Sequence, residues 1–223
     1  QQGLGKQVRG VELDWPAYAG KRNELPWFLP AALALSQSGV KVLMHGLSFE
    51  GEDRIYVDQI LAWLGLPVCH SVAYAQSCLD NNSFAYMPLQ AISPVLTEQM
   101  ELKQLLGLRS PVNTVVRMMN PFAAPHSVHG VFHKGYDELH LQAGQQLGDP
   151  SILVFRGGNG EAEVNPERDV ALGRLHQGQT QWQQWPKAEK QHVRQKDNLN
   201  PMRLLQHWSG SQTDSFGQQA ILQ

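Results

Sequence analysis

The chain has 223 residues, a length within the range of one large domain that buries a substantial core. Hydrophobic residues make up 42% and charged residues 17%, as in a globular protein, and no apolar run approaches the roughly 20 residues that a membrane-spanning helix needs. The formal net charge of −2 by itself neither favours nor excludes an anionic partner. The start at Gln1 without a signal-peptide pattern, and an apparent new helix over residues 216–223, indicate a piece of a longer cytoplasmic protein.

Short apolar segments and amphipathic segments alternate along the chain. Strands are predicted at residues 11–15, 40–44, 84–86, 129–132 and 152–155. Helices are predicted at residues 25–38, 52–64, 72–79, 97–106 and 136–147. Pro30 should lie in the first turn of the first helix or kink it. This alternation predicts an α/β fold with a largely parallel sheet flanked by helices.

The composition changes after residue 176. Residues 177–184 are rich in Gln, and residues 187–198 are polar and basic without an apolar stripe. We therefore predict an α/β domain over residues 11–175. Residues 176–223 are predicted to be a basic, polar tail whose partial C-terminal helices pack on the same domain.

Cysteine and histidine spacing does not indicate a metal site. Cys69 and Cys78 match no zinc or redox pair, so we expect two reduced, buried thiols. His126 and His129 form a His-x-x-His pair that runs into an apolar strand, so no metal ligand is assigned. The chain also lacks a Gly-x-Ser-x-Gly nucleophile elbow.

Four sequence blocks resemble anthranilate phosphoribosyltransferases, and they occur in that family's order. Residues 109–121 read Arg-Ser-Pro-Val-Asn-Thr-Val-Val-Arg-Met-Met-Asn-Pro and are similar to the family segment Arg-Thr-Ile-Phe-Asn-Leu-Leu-Gly-Pro-Leu-Leu-Asn-Pro. The other similar blocks are residues 39–46, residues 83–88, and residues 129–132 together with 157–166. The resemblance implies the nucleoside phosphorylase/phosphoribosyltransferase catalytic-domain fold, with a mostly parallel mixed sheet. It further implies that Arg109 and Asn113 lie where the family contacts its aromatic acceptor, and that His45 and Gly46 lie in the central cleft.

The residues that differ from the family are those that would handle phosphoribosyl pyrophosphate. Residues 15–20, Trp-Pro-Ala-Tyr-Ala-Gly, replace the Gly-Thr-Gly-Gly-Asp loop whose backbone amides hold pyrophosphate. Residues 44–48, Met-His-Gly-Leu-Ser, lose both cations of the family's Lys-His-Gly-Asn-Arg loop. Ala162-Glu163 replaces an Asp-Glu pair that helps hold magnesium, and Val116-Arg117 replaces Gly-Pro. These changes predict a degenerate site with no assigned catalytic residues and no cofactor, and magnesium only if transferase activity is retained.

The replacing residues are themselves similar to the divergent YbiB-type branch of this superfamily. That resemblance implies sequence-independent nucleic-acid binding, without preference established between DNA and RNA. Whole members of the branch carry a small N-terminal helical domain that mediates dimer formation and that this chain lacks. The full-length protein is therefore expected to be a homodimer.

Two sets of residues are candidates for nucleic-acid contacts, and two other functions also stay open. The cations predicted to contact phosphates are Lys187, Lys190, Arg194, Lys196 and Arg203 in the tail, with Lys21 and Arg22 as a second patch. Trp182, Trp185 and Trp208 flank the tail cations and are candidates for stacking on unpaired bases. One alternative is a glycosyl- or phosphoribosyltransferase with altered substrate recognition. Another is a small-ligand module in which residues 156–160, Arg-Gly-Gly-Asn-Gly, form either an anion nest or a tight turn.

Overall fold

The computed structural model describes residues 8–49, 53–108, 110–188 and 199–223. Its strands are β1 (Leu13–Ala17), β2 (Val42–Gly46), β3 (Phe84–Pro88), β4 (His126–Val131), β5 (Ser151–Arg156), β6 (Val170–His176) and β7 (Gln179–Trp185). They form one sheet in the order β3-β2-β1-β4-β5-β6-β7. The first five strands are parallel, and β6 and β7 add an antiparallel hairpin at one edge. The predicted fold class, an α/β fold with a mostly parallel mixed sheet, is confirmed.

The helices connect and flank the strands, and some of them begin or end at a capping residue. They are α1 (Phe28–Gln37), α2 (Val57–Trp63), α3 (Val72–Asn82), α4 (Leu89–Ile92), α5 (Pro94–Leu106), α6 (Val112–Val115), α7 (Tyr136–Leu147), α8 (Met202–Trp208) and α9 (Ser215–Leu222). The Ser71 hydroxyl accepts a hydrogen bond from the Tyr74 amide at the start of α3, and Gly107 ends α5 in the left-handed conformation. Pro30 lies in the first turn of α1, where its missing N–H costs no helical hydrogen bond. Within the described residues, no helix has the length and apolar character needed to span a bilayer.

The central strands are buried by helices on both faces of the sheet. All five residues of β2 are buried, as expected for a parallel strand covered on both sides. The largest hydrophobic cluster joins Trp15, Phe28 and Tyr86 to Phe216 of α9. Cys69 and Cys78 are buried and unbridged as predicted, with their sulfur atoms 3.6 Å apart, and burial raises the pKa of Cys69 to about 12.

The position predicted to end the α/β segment, residue 175, lies within the sheet. It falls near the end of β6, inside the β6–β7 hairpin, so residues 170–185 belong to the sheet. The sequence pattern missed β7 because six of its seven side chains are exposed and show no apolar alternation. Trp185 and Trp208 pack against the main core, whereas Trp182 is 47% exposed beside Gly173.

The strand order places a topological switch point at β1. The chain passes from β1 to β2 and β3 on one side, and then returns to β4 on the other side. In open α/β sheets, the crevice outside the carboxyl ends of the strands at such a point is the usual ligand site. The residues that follow Ala17 are therefore the ones to inspect for function.

Candidate ligand site at the carboxyl ends of the strands

Two backbone amides at the end of β1 are bonded to a carboxylate of the same chain. The amides of Ala19 and Gly20 both donate to Glu161 Oε1, each at 2.7 Å. The Arg54 guanidinium donates to the Ala19 and Gly20 carbonyl oxygens at 2.8 and 3.1 Å, which fixes the loop. Adjacent amides that converge on one oxygen are the arrangement with which proteins bind anions. Here Glu161 supplies the anion.

A second carboxylate, Glu163, is bonded to the next loop residues. Its Oε1 accepts from the Lys21 ammonium at 2.5 Å, and its Oε2 accepts from the Phe28 amide at the start of α1 at 3.0 Å. Lys21 has 0% of its surface exposed, and Glu24 lies 3.7 Å from the same ammonium. Lys21 must therefore be removed from the predicted nucleic-acid patch, because its charge is buried and neutralised inside the domain.

Burial dominates the electrostatics of both glutamates. It raises the pKa of Glu161, against the opposing effects of Arg117 and of the Gly20 and Ala19 amides. It also raises the pKa of Glu163, against the attraction of Lys21. Their short contacts to an ammonium and to three amides are those of acceptors, so these carboxylates act as fixed internal ligands for the loop.

His45 at the end of β2 is bonded to two protein side chains. Its Nδ1 lies 2.7 Å from the Tyr18 hydroxyl, and its Nε2 lies 3.2 Å from Asp14 Oδ1. The imidazole is fully buried, so its ring nitrogens face these partners and not an open cleft. Gly46 beside it is needed for packing, since a Cβ there would lie 2.3 Å from the Ala17 carbonyl oxygen. The predicted cleft pair His45 and Gly46 therefore connects β1 to β2.

The block over residues 109–121 reaches the same end of the sheet. Arg109 lies outside the described residues. Asn113 is buried on α6, and its side-chain amide donates to the Ser110 carbonyl oxygen at 3.3 Å. Arg117 replaces the proline of the family motif and donates to the Gly130 and Gly160 carbonyl oxygens at 3.1 and 2.7 Å. Arg117 thus fastens this segment to β4 and to the turn after β5.

Residues 156–160 form a tight turn whose amides are used inside the fold. The amides of Gly157, Gly158 and Gly160 donate to the Val131, Glu163 and Gly157 carbonyl oxygens at 3.1, 3.0 and 3.2 Å. Asn159 adopts a φ of 58°, a turn conformation that Asn tolerates. An anion nest needs free amides, so of the two alternatives for this segment the structure favours the turn.

The described residues do not fit a magnesium–pyrophosphate ligand in this arrangement. Within residues 8–49, 53–108, 110–188 and 199–223, no three His, Cys, Asp or Glu side chains lie close enough together to hold a metal ion. Both oxygens of Glu163 are already bonded to Lys21 and Phe28. The amides of Ala19 and Gly20 are bonded to Glu161.

The remaining predicted cations are distributed over several places. Arg22 and Lys187 are exposed, and the Lys187 amide donates to Asp169 Oδ1 at 2.9 Å. Arg203 of α8 forms a salt bridge with Asp214, the N-terminal cap of α9, so its charge is used within the C-terminal helices. Lys190, Arg194 and Lys196 lie outside the described residues.

Comparison with known proteins shows which proteins this chain is similar to. No protein-family model matches the chain. The uncharacterized protein YbiB of Escherichia coli (strain K12) is 28% identical over 156 residues, covering 69% of this chain and 48% of that protein. The anthranilate phosphoribosyltransferase of Methylibium petroleiphilum is 26% identical over 149 residues, covering 67% of this chain and 43% of that protein. The chain thus spans about half the length of these curated relatives.

Solved structures agree on the fold. The anthranilate phosphoribosyltransferase TrpD of Thermus thermophilus superposes with a TM-score of 0.73 at 18% identity, covering 96% of this chain and 65% of that one. The chain is similar in sequence to YbiB and to anthranilate phosphoribosyltransferases, and it has the fold of the latter. The Saccharomyces cerevisiae enzyme solved with PRPP and Mg superposes with a TM-score of 0.72 at 15% identity, covering 95% of this chain and 62% of that one. The sequence resemblance, including the likeness to YbiB, is confirmed.

Sequence reasoning missed the internal contacts of two residues that complete this site. From the sequence, Glu163 is interpreted only as the remaining member of a magnesium-holding pair and Glu161 has no predicted role, because each contacts residues more than 130 positions earlier. A local signal does exist. Glu161-Ala162-Glu163 alternates two acids immediately after a glycine-rich turn, which is where a parallel sheet presents its ligand-contacting loops.

Proposed function

We propose that this chain is a nucleic-acid-binding domain on a phosphoribosyltransferase fold whose phosphoribosyl-pyrophosphate site is degenerate. The observation that carries the proposal is a row of exposed cations along the carboxyl edge of the sheet. The row consists of Arg156, Arg168 and Lys187. The salt bridges found among the described residues do not include any of the three.

The strand directions explain why these cations share one edge. Arg156 ends β5, Arg168 lies just before the antiparallel β6, and Lys187 follows β7, so all three lie at the same end of their strands. The Arg168 guanidinium also lies 3.4 Å from the Arg156 carbonyl oxygen. Spaced cations on a surface neutralise phosphates without reading bases, which favours sequence-independent binding.

The buried carboxylates Glu161 and Glu163 support the proposal that the phosphoribosyl-pyrophosphate site is degenerate. A pyrophosphate at the end of β1 would have to displace Glu161 from two amides and Glu163 from Lys21. Each displaced carboxylate would bring negative charge beside the incoming phosphates. Binding of phosphoribosyl pyrophosphate in this arrangement is therefore unfavourable. The homodimer expected of the full-length protein stays a prediction.

The first test measures binding to a fluorescein-labelled oligonucleotide of about 20 nucleotides by anisotropy at several salt concentrations. Replacing Arg156, Arg168 and Lys187 together by Gln should weaken binding by about tenfold or more at about 100 mM salt. It should also reduce the slope of log affinity against log salt by about 2 to 3, because each lost phosphate contact removes close to one released counterion. The expected cause is loss of phosphate neutralisation, not unfolding.

A matched control changes the same charge at the opposite edge. Arg9, Lys41 and Arg174 lie towards the amino ends of the parallel strands, and their replacement by Gln should leave both affinity and salt slope nearly unchanged. Equal losses in the two triple variants would mean that overall charge governs binding. An affinity of the unmodified chain that does not respond to salt would overturn the phosphate-driven proposal.

The alternative, a transferase with altered acceptor recognition, is favoured by the match to anthranilate phosphoribosyltransferases and by the retained Asn113. We expect no pyrophosphate release above the uncatalysed rate with phosphoribosyl pyrophosphate, magnesium and anthranilate, because the amides and Lys21 are already bonded to Glu161 and Glu163. A coupled pyrophosphatase–phosphate assay measures this. Release that depends on enzyme concentration and is lost in Asn113→Ala would establish the transferase reading instead.

A further inference from the structure

We propose that Phe132, His133 and Tyr136 form a stacking platform for unpaired nucleobases, so that the domain prefers single-stranded to double-stranded nucleic acid. This inference rests on the proposed nucleic-acid binding. It adds the strand preference and the residues that set it, which the cation row alone leaves open.

The three rings form a contiguous exposed aromatic surface. Phe132 is 61% exposed, Tyr136 is 41% exposed and His133 is also exposed. The Phe132 and His133 ring centroids lie 5.0 Å apart, and those of His133 and Tyr136 lie 5.9 Å apart. A single exposed aromatic is ordinary on a protein surface, but three adjacent rings at the ligand-facing edge of a sheet indicate a binding surface.

The local backbone sets the positions from which these rings project. Phe132 directly follows β4, and Tyr136 is the first residue of α7. Gly135 between them has a φ of 87°, which permits the sharp turn from strand to helix. Gly160 lies against Phe132, since a Cβ added at Gly160 would come within 3.2 Å of the Phe132 Cβ.

The platform is continuous with the cation row. Val131 pairs with Arg156 in the register between β4 and β5, so Phe132 follows the residue that lies beside Arg156. The Gly157 amide donates to the Val131 carbonyl oxygen at 3.1 Å and closes the gap between the two strand ends. A strand whose phosphates lie on the cations can therefore place its bases on the rings. This alternation of cations and aromatic faces is how proteins bind single strands without reading sequence.

The charge at the platform itself favours stacking over phosphate contact. Lys134 is offset by the exposed Glu138 in the first turn of α7. Asp137 is turned inward, where its Oδ1 accepts from the Gly135 and Glu138 amides at 3.0 and 3.2 Å. The rings thus lie in a nearly neutral area between cations, and a duplex, whose bases are stacked on one another, cannot use them.

The test compares single-stranded oligo(dT) with a duplex of equal length by anisotropy. Phe132→Ala should weaken binding of the single strand by about tenfold, while binding of the duplex changes less than about twofold. The salt slope should stay unchanged, because no phosphate contact is lost. Tyr74→Ala on α3 is the control, since Tyr74 is also well exposed but lies on the helix that precedes β3, three strands away from β4.

A conservative variant gives a second readout. Phe132→Trp should keep single-strand affinity, and the fluorescence that it adds should be quenched when oligo(dT) binds. Equal losses of single-strand and duplex affinity in Phe132→Ala, or no quenching in Phe132→Trp, would refute the platform and leave the cation row standing. If the unmodified chain binds neither nucleic acid, the proposed function and this inference fall together.

Discussion

Replacing Lys21 by Met should destabilise the domain by about 3 to 5 kcal/mol, the usual cost of leaving one buried charge without its partner. Lys21 is fully buried, and its ammonium lies 2.5 Å from Glu163 and 3.7 Å from Glu24. Met preserves most of the side-chain volume, so the loss reports the carboxylates that remain and not a cavity. Urea unfolding followed by tryptophan fluorescence measures the change.

A double replacement separates the charge effect from packing. Glu163→Gln removes the uncompensated carboxylate while its amide oxygen can still accept from the Phe28 amide. Lys21→Met with Glu163→Gln should therefore be more stable than Lys21→Met alone. The full double-mutant cycle should give a coupling free energy of about 2 kcal/mol between Lys21 and Glu163.

The neighbouring cation is the matched control for this cycle. Arg22→Met should change the free energy of unfolding by about 0.5 kcal/mol or less, since Arg22 is exposed. If Lys21→Met behaves like Arg22→Met, Lys21 is a solvated side chain, as the sequence first predicted.

The pair Lys21-Arg22 shows why the fold was more predictable from the sequence than the site. Hydrophobic periodicity is local, and it located the strands β1 to β5 and the helix α7, the latter at the observed bounds. Which of two adjacent cations is buried depends on Glu163, which is 142 residues away. No pattern within a short window carries that information.

The difference between local and long-range information also applies to the positions at which the chain differs from the family motifs. The sequence shows that residues 15–20 and Val116-Arg117 differ from the family motifs, but it could not show which contacts these residues make. Arg117 bonds two carbonyl oxygens, and Glu161 bonds two amides. In both cases a charged side chain of the chain itself satisfies backbone groups near the ligand edge. Buried polar groups require such partners, which is a physical reason for these substitutions to occur together.

Strand β7 was missed for a different reason. Its residues Gln179–Trp185 pair with β6 along their whole length, yet six of the seven side chains are exposed. A strand at the edge of a sheet without a buried face has no alternating pattern to detect. Backbone pairing with β6, and the contact of Trp182 with Gly173, hold it instead.

Acidification from about pH 6.5 towards about pH 4 should destabilise the domain through two buried histidines, and His140→Phe should remove part of this effect. His129 of β4 and His140 of α7 are buried with their Nδ1 atoms 3.2 Å apart. Burial lowers the pKa of His140 to about 4, with Arg117 adding to this and Asp137 opposing it. Burial, His140, His45 and Arg117 together hold the pKa of His129 well below its usual range.

The sign follows from proton linkage. Since both pKa values are lower in the folded state, the unfolded chain binds more protons below pH 6.5, and stability present above that pH is lost as the pH falls. For His140 alone, a shift from 6.5 to about 4 corresponds to about 3 kcal/mol once the pH is below 4. Burial raises the pKa values of three carboxyl groups, which act in the opposite direction: Glu161, Glu163 and Asp14. These groups are present both in the unmodified chain and in His140→Phe.

The comparison of His140→Phe with the unmodified chain therefore isolates one histidine. Between about pH 6 and about pH 4.5 the variant should lose stability more slowly, with a slope smaller by about 1.4 kcal/mol per pH unit, the value for one proton. His126→Phe is the control, because His126 is exposed on β4 and outside this pair. Urea unfolding at several pH values gives the slopes. Identical slopes in all three proteins would mean that His140 binds its proton as readily in the folded state as in the unfolded chain, and that the pair is not the source of acid sensitivity.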